Sequence, residues 1–178
     1  QNEIAKQLLD EGNFVKALAI ANQINSSNSK ASVLAYAAQR YAARRERSKA
    51  RETAMTAFEA GKRNLHDNGF PESAVQYILF VDKNVVLEKL KEEGLKRGSG
   101  WALEEIAKKL GEANQDSLAI EVLSYIQAED YVDDAGPITI QDYRTGAIGK
   151  IAMHYYDSKR PINAELQSIL AELVKLLD

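Results

Sequence analysis

Apolar residues recur at three- and four-residue spacing along nearly the whole chain, as in Ile4, Leu8 and Leu9, or in Leu103, Ile106, Ala107 and Leu110. Side chains spaced in this way share one face of an α-helix. Alternation with a period of two is absent over any useful length. The most strand-like stretch, 75–81, follows Pro71 and Glu72, a pair suited to a helix start, and is read as a buried helix. Breakers cut the pattern into about ten helices. The cuts fall at 12–13, 25–28, 45–47, 64–70, 82–84, 98–100, 113–115, 128–138 and 158–161. The longest of them, 128–138, reads as a loop, and the expectation is an all-α fold of paired antiparallel helices with no sheet.

Capping residues support these cuts. Gly12 suits a left-handed helix end, and Asn13 can accept from free amides at the start of the next helix. Thr139, Ile140, Gln141 and Asp142 fit a capping box opening a helix toward Tyr156. In that helix Tyr155 continues an apolar stripe of Ala147, Ile148, Ile151 and Ala152. Pro161 and Glu165 suit the first turn of a last helix whose Leu166, Ile169, Leu170, Leu173, Val174 and Leu177 form a broad apolar stripe. Such a helix calls for a further domain or a weak homodimer through Leu176, and the non-methionine start favours excision from a longer protein.

The pattern also repeats. The run Glu3-Ile4-Ala5-Lys6 returns as Glu105-Ile106-Ala107-Lys108, a shift of 102 residues, and the same shift carries Ala17, Leu18, Ile20 and Ile24 onto Ala119, Ile120, Val122 and Ile126. A shift of 33 carries Ala5, Leu8 and Ala17 onto Ala38, Tyr41 and Ala50. Both shifts fit a two-helix unit of about 33 to 34 residues. The run from Gly12 through Asn13, Phe14, Val15, Lys16 and Ala17 to Leu18 resembles the turn of a tetratricopeptide repeat. There, a glycine, a small polar residue and an aromatic precede an alanine on the second helix.

Only the alanine persists in the corresponding runs at 45–50 and 114–119, and the family's packing tryptophan and terminal proline are missing. A HEAT-like solenoid is the alternative. The resemblance implies a single helical-repeat domain over 1–178, a right-handed α-α superhelix of about ten antiparallel helices. Its best-matching repeats lie in 1–66, diverged repeats in 67–127, and a C-terminal helix pair in 128–178.

It also implies a non-enzymatic module that binds a peptide or protein segment on a concave face lined by first helices. That face would carry Asn2, Lys6 and Asp10, then Ala35, Gln39 and Ala43, then Trp101, Glu104, Lys108 and Glu112. Asn2 and Lys6 stand in the reverse order for the family's carboxylate clamp, which is not expected here.

Composition narrows the chemistry. With 45% hydrophobic and 28% charged residues, the chain has the make-up of an ordinary globular protein. Absence of cysteine removes disulfide frameworks, thiolate catalysis and sulfur-based zinc sites. Two histidines, His66 and His154, leave little for acid–base work, and no serine or carboxylate is tied to His154 by a motif. No cofactor is expected. No apolar run approaches the ~18 residues of a membrane span, and the start Gln1-Asn2-Glu3-Ile4 has no basic region followed by an apolar one; a cytoplasmic location is favoured, but with a targeting segment that could have been removed the compartment stays open.

Two charge clusters stand out. Residues Arg40, Arg44, Arg45, Arg47, Lys49 and Arg51 lie within one short run beside a single acid, Glu46. They would suit nucleic acid or an acidic partner, while the simpler reading is a solvated turn. Glu129, Asp130, Asp133 and Asp134 stand in the long loop, without EF-hand spacing. They read as solvated, as do the neighbouring pairs Glu92-Glu93 and Glu104-Glu105. The 94–100 stretch lacks phosphate-loop spacing and reads as a linker. Trp101 is either a groove anchor or a packing residue.

Overall fold

The structure, a computed structural model, describes residues 1–62, 68–94, 100–125, 130–133, 136–159, 161, 164, 167, 168 and 171. Among the described residues the elements in chain order are α1 (Asn2–Asp10), α2 (Phe14–Gln23), α3 (Ser27–Ala43), α4 (Arg47–Gly61), α5 (Gly69–Phe80), α6 (Lys83–Gly94), α7 (Gly100–Glu112), α8 (Asp116–Ser124), β1 (Asp130–Asp133), β2 (Gly136–Thr139) and α9 (Ile140–Asp157). Among the described residues the chain is all-α apart from the hairpin. It divides into two compact units, Gln1–Lys89 and Leu90–Asp178. Most of the last helix expected from Pro161 onward, the linker residues 95–99, His66, Glu129, Asp134 and the side chain of His154 lie outside the described residues.

Three of the turns between helices are built alike. Gly12, Arg45 and Asn114 are each the middle residue of a three-residue connection, and each has positive φ, at 81°, 63° and 61°. In each, the amide of that residue donates to the carbonyl three residues back: Gly12 to Leu9 at 3.1 Å, Arg45 to Ala42 at 2.9 Å, Asn114 to Gly111 at 2.9 Å. The following amide donates five residues back: Asn13 to Leu8 at 2.7 Å, Glu46 to Tyr41 at 3.0 Å, Gln115 to Leu110 at 2.8 Å. This Schellman arrangement satisfies carbonyls the helix end leaves open. The residue after it caps the next helix, whose first backbone bond is donated in all three by an alanine, Ala17, Ala50 or Ala119. All three alanines are buried, so no side chain holds the paired helices apart. Asn13 also caps through its side chain, accepting from the Lys16 amide at 3.5 Å.

In the first unit α3 packs against α1, α2, α4 and α5, and α1 against α2. Its inward face is rich in small residues, with Ala31, Ala35, Ala37 and Ala38 beside Val33, Leu34 and Tyr41, which lets four neighbours approach one helix. Phe14 fills the gap at the second helix and stacks on Tyr41 with ring centroids 4.2 Å apart. Phe58 meets Phe70 and Tyr77 at 6.2 and 4.7 Å. The strand-like stretch near Val75 is indeed helical, buried along Phe70, Ala74, Val75 and Ile78.

In the second unit α7 packs against α8 and α9. Gly111 makes the second of these contacts close, since a Cβ there would fall 2.6 Å from Ile151 Cγ1. The Tyr155 hydroxyl donates to Asp116 Oδ2 at the first residue of α8. The segment expected to be a loop contains β1 paired antiparallel with β2, from Asp130 opposite Thr139 to Asp133 opposite Gly136, so the expectation of no sheet is corrected. Each strand has four residues, too few for a period-two signal to emerge. The Gly136-Pro137 pair reads as a breaker, although proline is tolerated on an edge strand.

Candidate interaction surfaces

The contact between α1 and α3 brings Lys6, Asp10, Tyr36 and Arg40 together. Tyr36 is the hub: its hydroxyl donates to Asp10 Oδ1 at 2.5 Å, and the Lys6 ammonium lies 5.9 Å from its ring centre. Arg40 Nε approaches the same Asp10 oxygen at 3.4 Å. The bond to Asp10, together with desolvation and the carboxylate's charge, holds the Tyr36 hydroxyl above the ordinary phenol range despite the nearby Arg40. An aromatic face flanked by two cations and one carboxylate can stack on a side chain and orient a polar backbone.

Lys6 and Asp10 both lie on α1, with Asn2 half-buried on the same helix. One α3 position, Ala35, is corrected. Ala35 is buried in the core at 2% exposure, and the α3 side chains that make polar or cation–π contacts with α1 are Tyr36 and Arg40, one place along from Ala35 and Gln39. Gln39 and Ala43 are exposed but make no contact with this cluster among the described residues. Tyr36 escaped the sequence reading because the shift of 33 places it on Glu3, which is not a groove position. Its one signal was a tyrosine lying off the alanine-rich stripe of its helix.

On α7, Lys108 reaches Glu104 at 2.6 Å and Glu105 at 3.0 Å. Burial by itself would lower the lysine's pKa, but the bonds and charges of both carboxylates outweigh it and hold the ammonium above its ordinary value. Glu104 is only 14% exposed, and its Oε1 lies 2.7 Å from where a Cβ on Gly146 of α9 would stand. The reading of Glu104-Glu105 as solvated surface is therefore corrected: four and three residues before Lys108, both fold onto it. Trp101 is half-buried and Glu112 exposed on the same helix.

Ion pairs divide the basic run. Arg44 and Lys49 both bind Glu46, at 3.0 and 2.6 Å. Arg44 lies 5.0 Å from the Phe14 ring centre and Lys49 5.5 Å from that of Tyr41, so the two cations cover the stacked aromatic pair. The Lys49 bond, followed by the charges of Lys49 and Arg44, overcomes desolvation and lowers the Glu46 pKa. Arg40 belongs to Asp10. Arg45, Arg47 and Arg51 are exposed and have no ion pair among the described residues.

Asp116 was not singled out in the sequence. It is 7% exposed, with one carboxylate oxygen bonded to Tyr155 and the other without a hydrogen-bond partner. It opens α8 as Phe14 opens α2. Tyr155 stands four residues before Lys159, at φ 54°, as Tyr41 stands four before Arg45. The aromatic stack of the first unit is thus replaced in the second by a hydrogen bond at the corresponding positions.

Among the described residues no group of three or more His, Asp or Glu is placed to hold a metal ion, and no helix is long and apolar enough to cross a membrane. No protein-family model, curated protein or solved structure matches the chain.

Proposed function

We propose that the chain is a non-enzymatic interaction module of the helical-repeat type, binding a peptide or protein segment along the face of its first helices. One observation carries the reading: α1 and α3 lie side by side and gather Lys6, Asp10, Tyr36 and Arg40 about a single aromatic ring. The shared turn at Gly12, Arg45 and Asn114 supports a recurring two-helix unit. In such arrays neighbouring units expose equivalent helices on one surface. A segment lying over Tyr36 would take stacking from the ring and direction from the charges around it.

A photo-cross-linking residue placed at Tyr36 tests this, with one at Val15, on the exposed side of α2, as the control. The expected outcome is that a discrete polypeptide is captured at 36, not at 15, and that Lys6→Glu removes it while helix content by circular dichroism is unchanged. Equal capture at both positions, or capture indifferent to Lys6→Glu, would move the site off this face.

A further inference from the structure

We propose that Arg45, Arg47, Arg51 and Met55 form a second docking strip, for a partner polypeptide that presents a short run of carboxylates beside an apolar side chain. The inference goes beyond the first-helix face, since none of these residues belongs to it. Arg47, Arg51 and Met55 follow one another at four-residue intervals on α4, so they line one side of that helix. Met55 is 44% exposed, and its unbranched thioether adapts to different apolar contacts. Arg45 stands at the tip of the turn that leads into this side.

The structure separates these arginines from the other cations nearby. Arg40, Arg44 and Lys49 are held by Asp10 and Glu46, whereas Arg45, Arg47 and Arg51 project to solvent with no carboxylate of their own among the described residues. Arg45 also occupies a conformation that its residue type adopts unwillingly. At the same place in the other two turns stand Gly12 and Asn114, the types that accept positive φ most readily. A cation after a helix gains from the negative end of the dipole, but Arg40 and Arg44 already supply that at α3. Lys159, after α9, shares the conformation; what distinguishes Arg45 is the arginine pair and exposed methionine that continue from it. Backbone strain retained at an exposed arginine, in line with two more, points to use of its side chain.

Charge complementarity names the occupant. Guanidinium groups pair with carboxylates in a planar, bidentate fashion. Nucleic acid fits less well, because the chain carries a net charge of -3, which opposes a long polyanion. Phe14 and Tyr41, beneath Arg44 and Lys49, and Phe58 on α4 are also buried and offer no base-stacking surface.

Fluorescence anisotropy with a labelled oligoglutamate peptide carrying one leucine tests the proposal on the full chain at low ionic strength. A single-stranded oligonucleotide of equal charge serves as the competing probe. The expected result is peptide binding that weakens with salt, falls about two- to five-fold for each of Arg45→Gly, Arg47→Gln and Arg51→Gln, and falls again when the leucine is replaced by alanine. Arg45→Gly should at the same time raise the melting temperature by about 2 to 4 °C as the strain is released. Lys6→Glu should leave the peptide affinity within about twofold, which keeps this result separate from the first-helix face. No peptide binding by the wild type, tighter binding of the oligonucleotide, or a stabilised Arg45→Gly protein of unchanged peptide affinity would each overturn the proposal.

Discussion

Gly12 stands at φ 81° with Arg44 Nη1 3.4 Å from where its Cβ would lie, so Gly12→Val meets an unfavourable backbone region with a β-branched side chain. The expected loss is about 1 to 2 kcal/mol, read as a lower melting temperature, and an unchanged melt would show that the turn relaxes at no cost. Lys108→Glu would put a third carboxylate between Glu104 and Glu105, and is expected to cost about 1 to 3 kcal/mol by denaturant titration. It is therefore a test of stability, and the charge reversal that bears on binding is Lys6→Glu. Glu46, whose pKa is lowered in the fold, contributes stability above the ordinary carboxylate range and loses it as pH falls through the folded value. Glu46→Gln should melt below wild type near neutral pH, and the difference should close in acid. Of the candidate cluster, Lys6 and Asp10 were legible in the sequence as polar positions at helical spacing beside the turn at Gly12. The sequence could not show Tyr36, whose partner Asp10 is 26 residues away, nor which arginines Glu46 and Asp10 would claim, because charge density along a chain carries no information about pairing across helices.

At the scale of elements the sequence was more informative, because helix ends are local events. Gly12, the buried alanines and the apolar stripes of α3 and α7 each impose their conformation within a few residues, and the expected cuts at 12–13, 45–47, 82–84 and 113–115 fall at the ends of observed helices. The β-hairpin was not legible, since its pairing joins residues whose own pattern is too short to declare a strand. Nor was the close crossing of α7 and α9, where Gly111 reads in sequence only as a weak point in a helix. There Gly111→Ala should gain helix propensity yet lose stability, by about 1 to 3 kcal/mol, because its new methyl must displace the Ile151 side chain. Ile151→Ala in the same chain should cancel part of that loss, giving a favourable coupling in a double-mutant cycle. Additive effects would mean that the two helices separate freely.

For the molecule as a whole, each of the two units, Gln1–Lys89 and Leu90–Asp178, holds a buried core. Leu9, Val33, Ala57 and Phe70 fill one; Leu103, Ile106, Leu110 and Ile151 fill the other. In chains assembled from small helical units, stability is a sum over units and neighbouring interfaces, and the units need not melt together. The sequence supplies a reporter, since Trp101 is the sole tryptophan and lies on α7, within the second unit. Its fluorescence follows that unit alone, whereas far-ultraviolet circular dichroism follows the helices of both. The two signals should therefore trace different denaturant transitions. Gly12→Val, which weakens the first unit, should shift the dichroism curve to lower denaturant and leave the tryptophan transition in place. Coincident curves in the wild type that move together in the variant would show one cooperative unit, and would mean that the two cores are joined in energy.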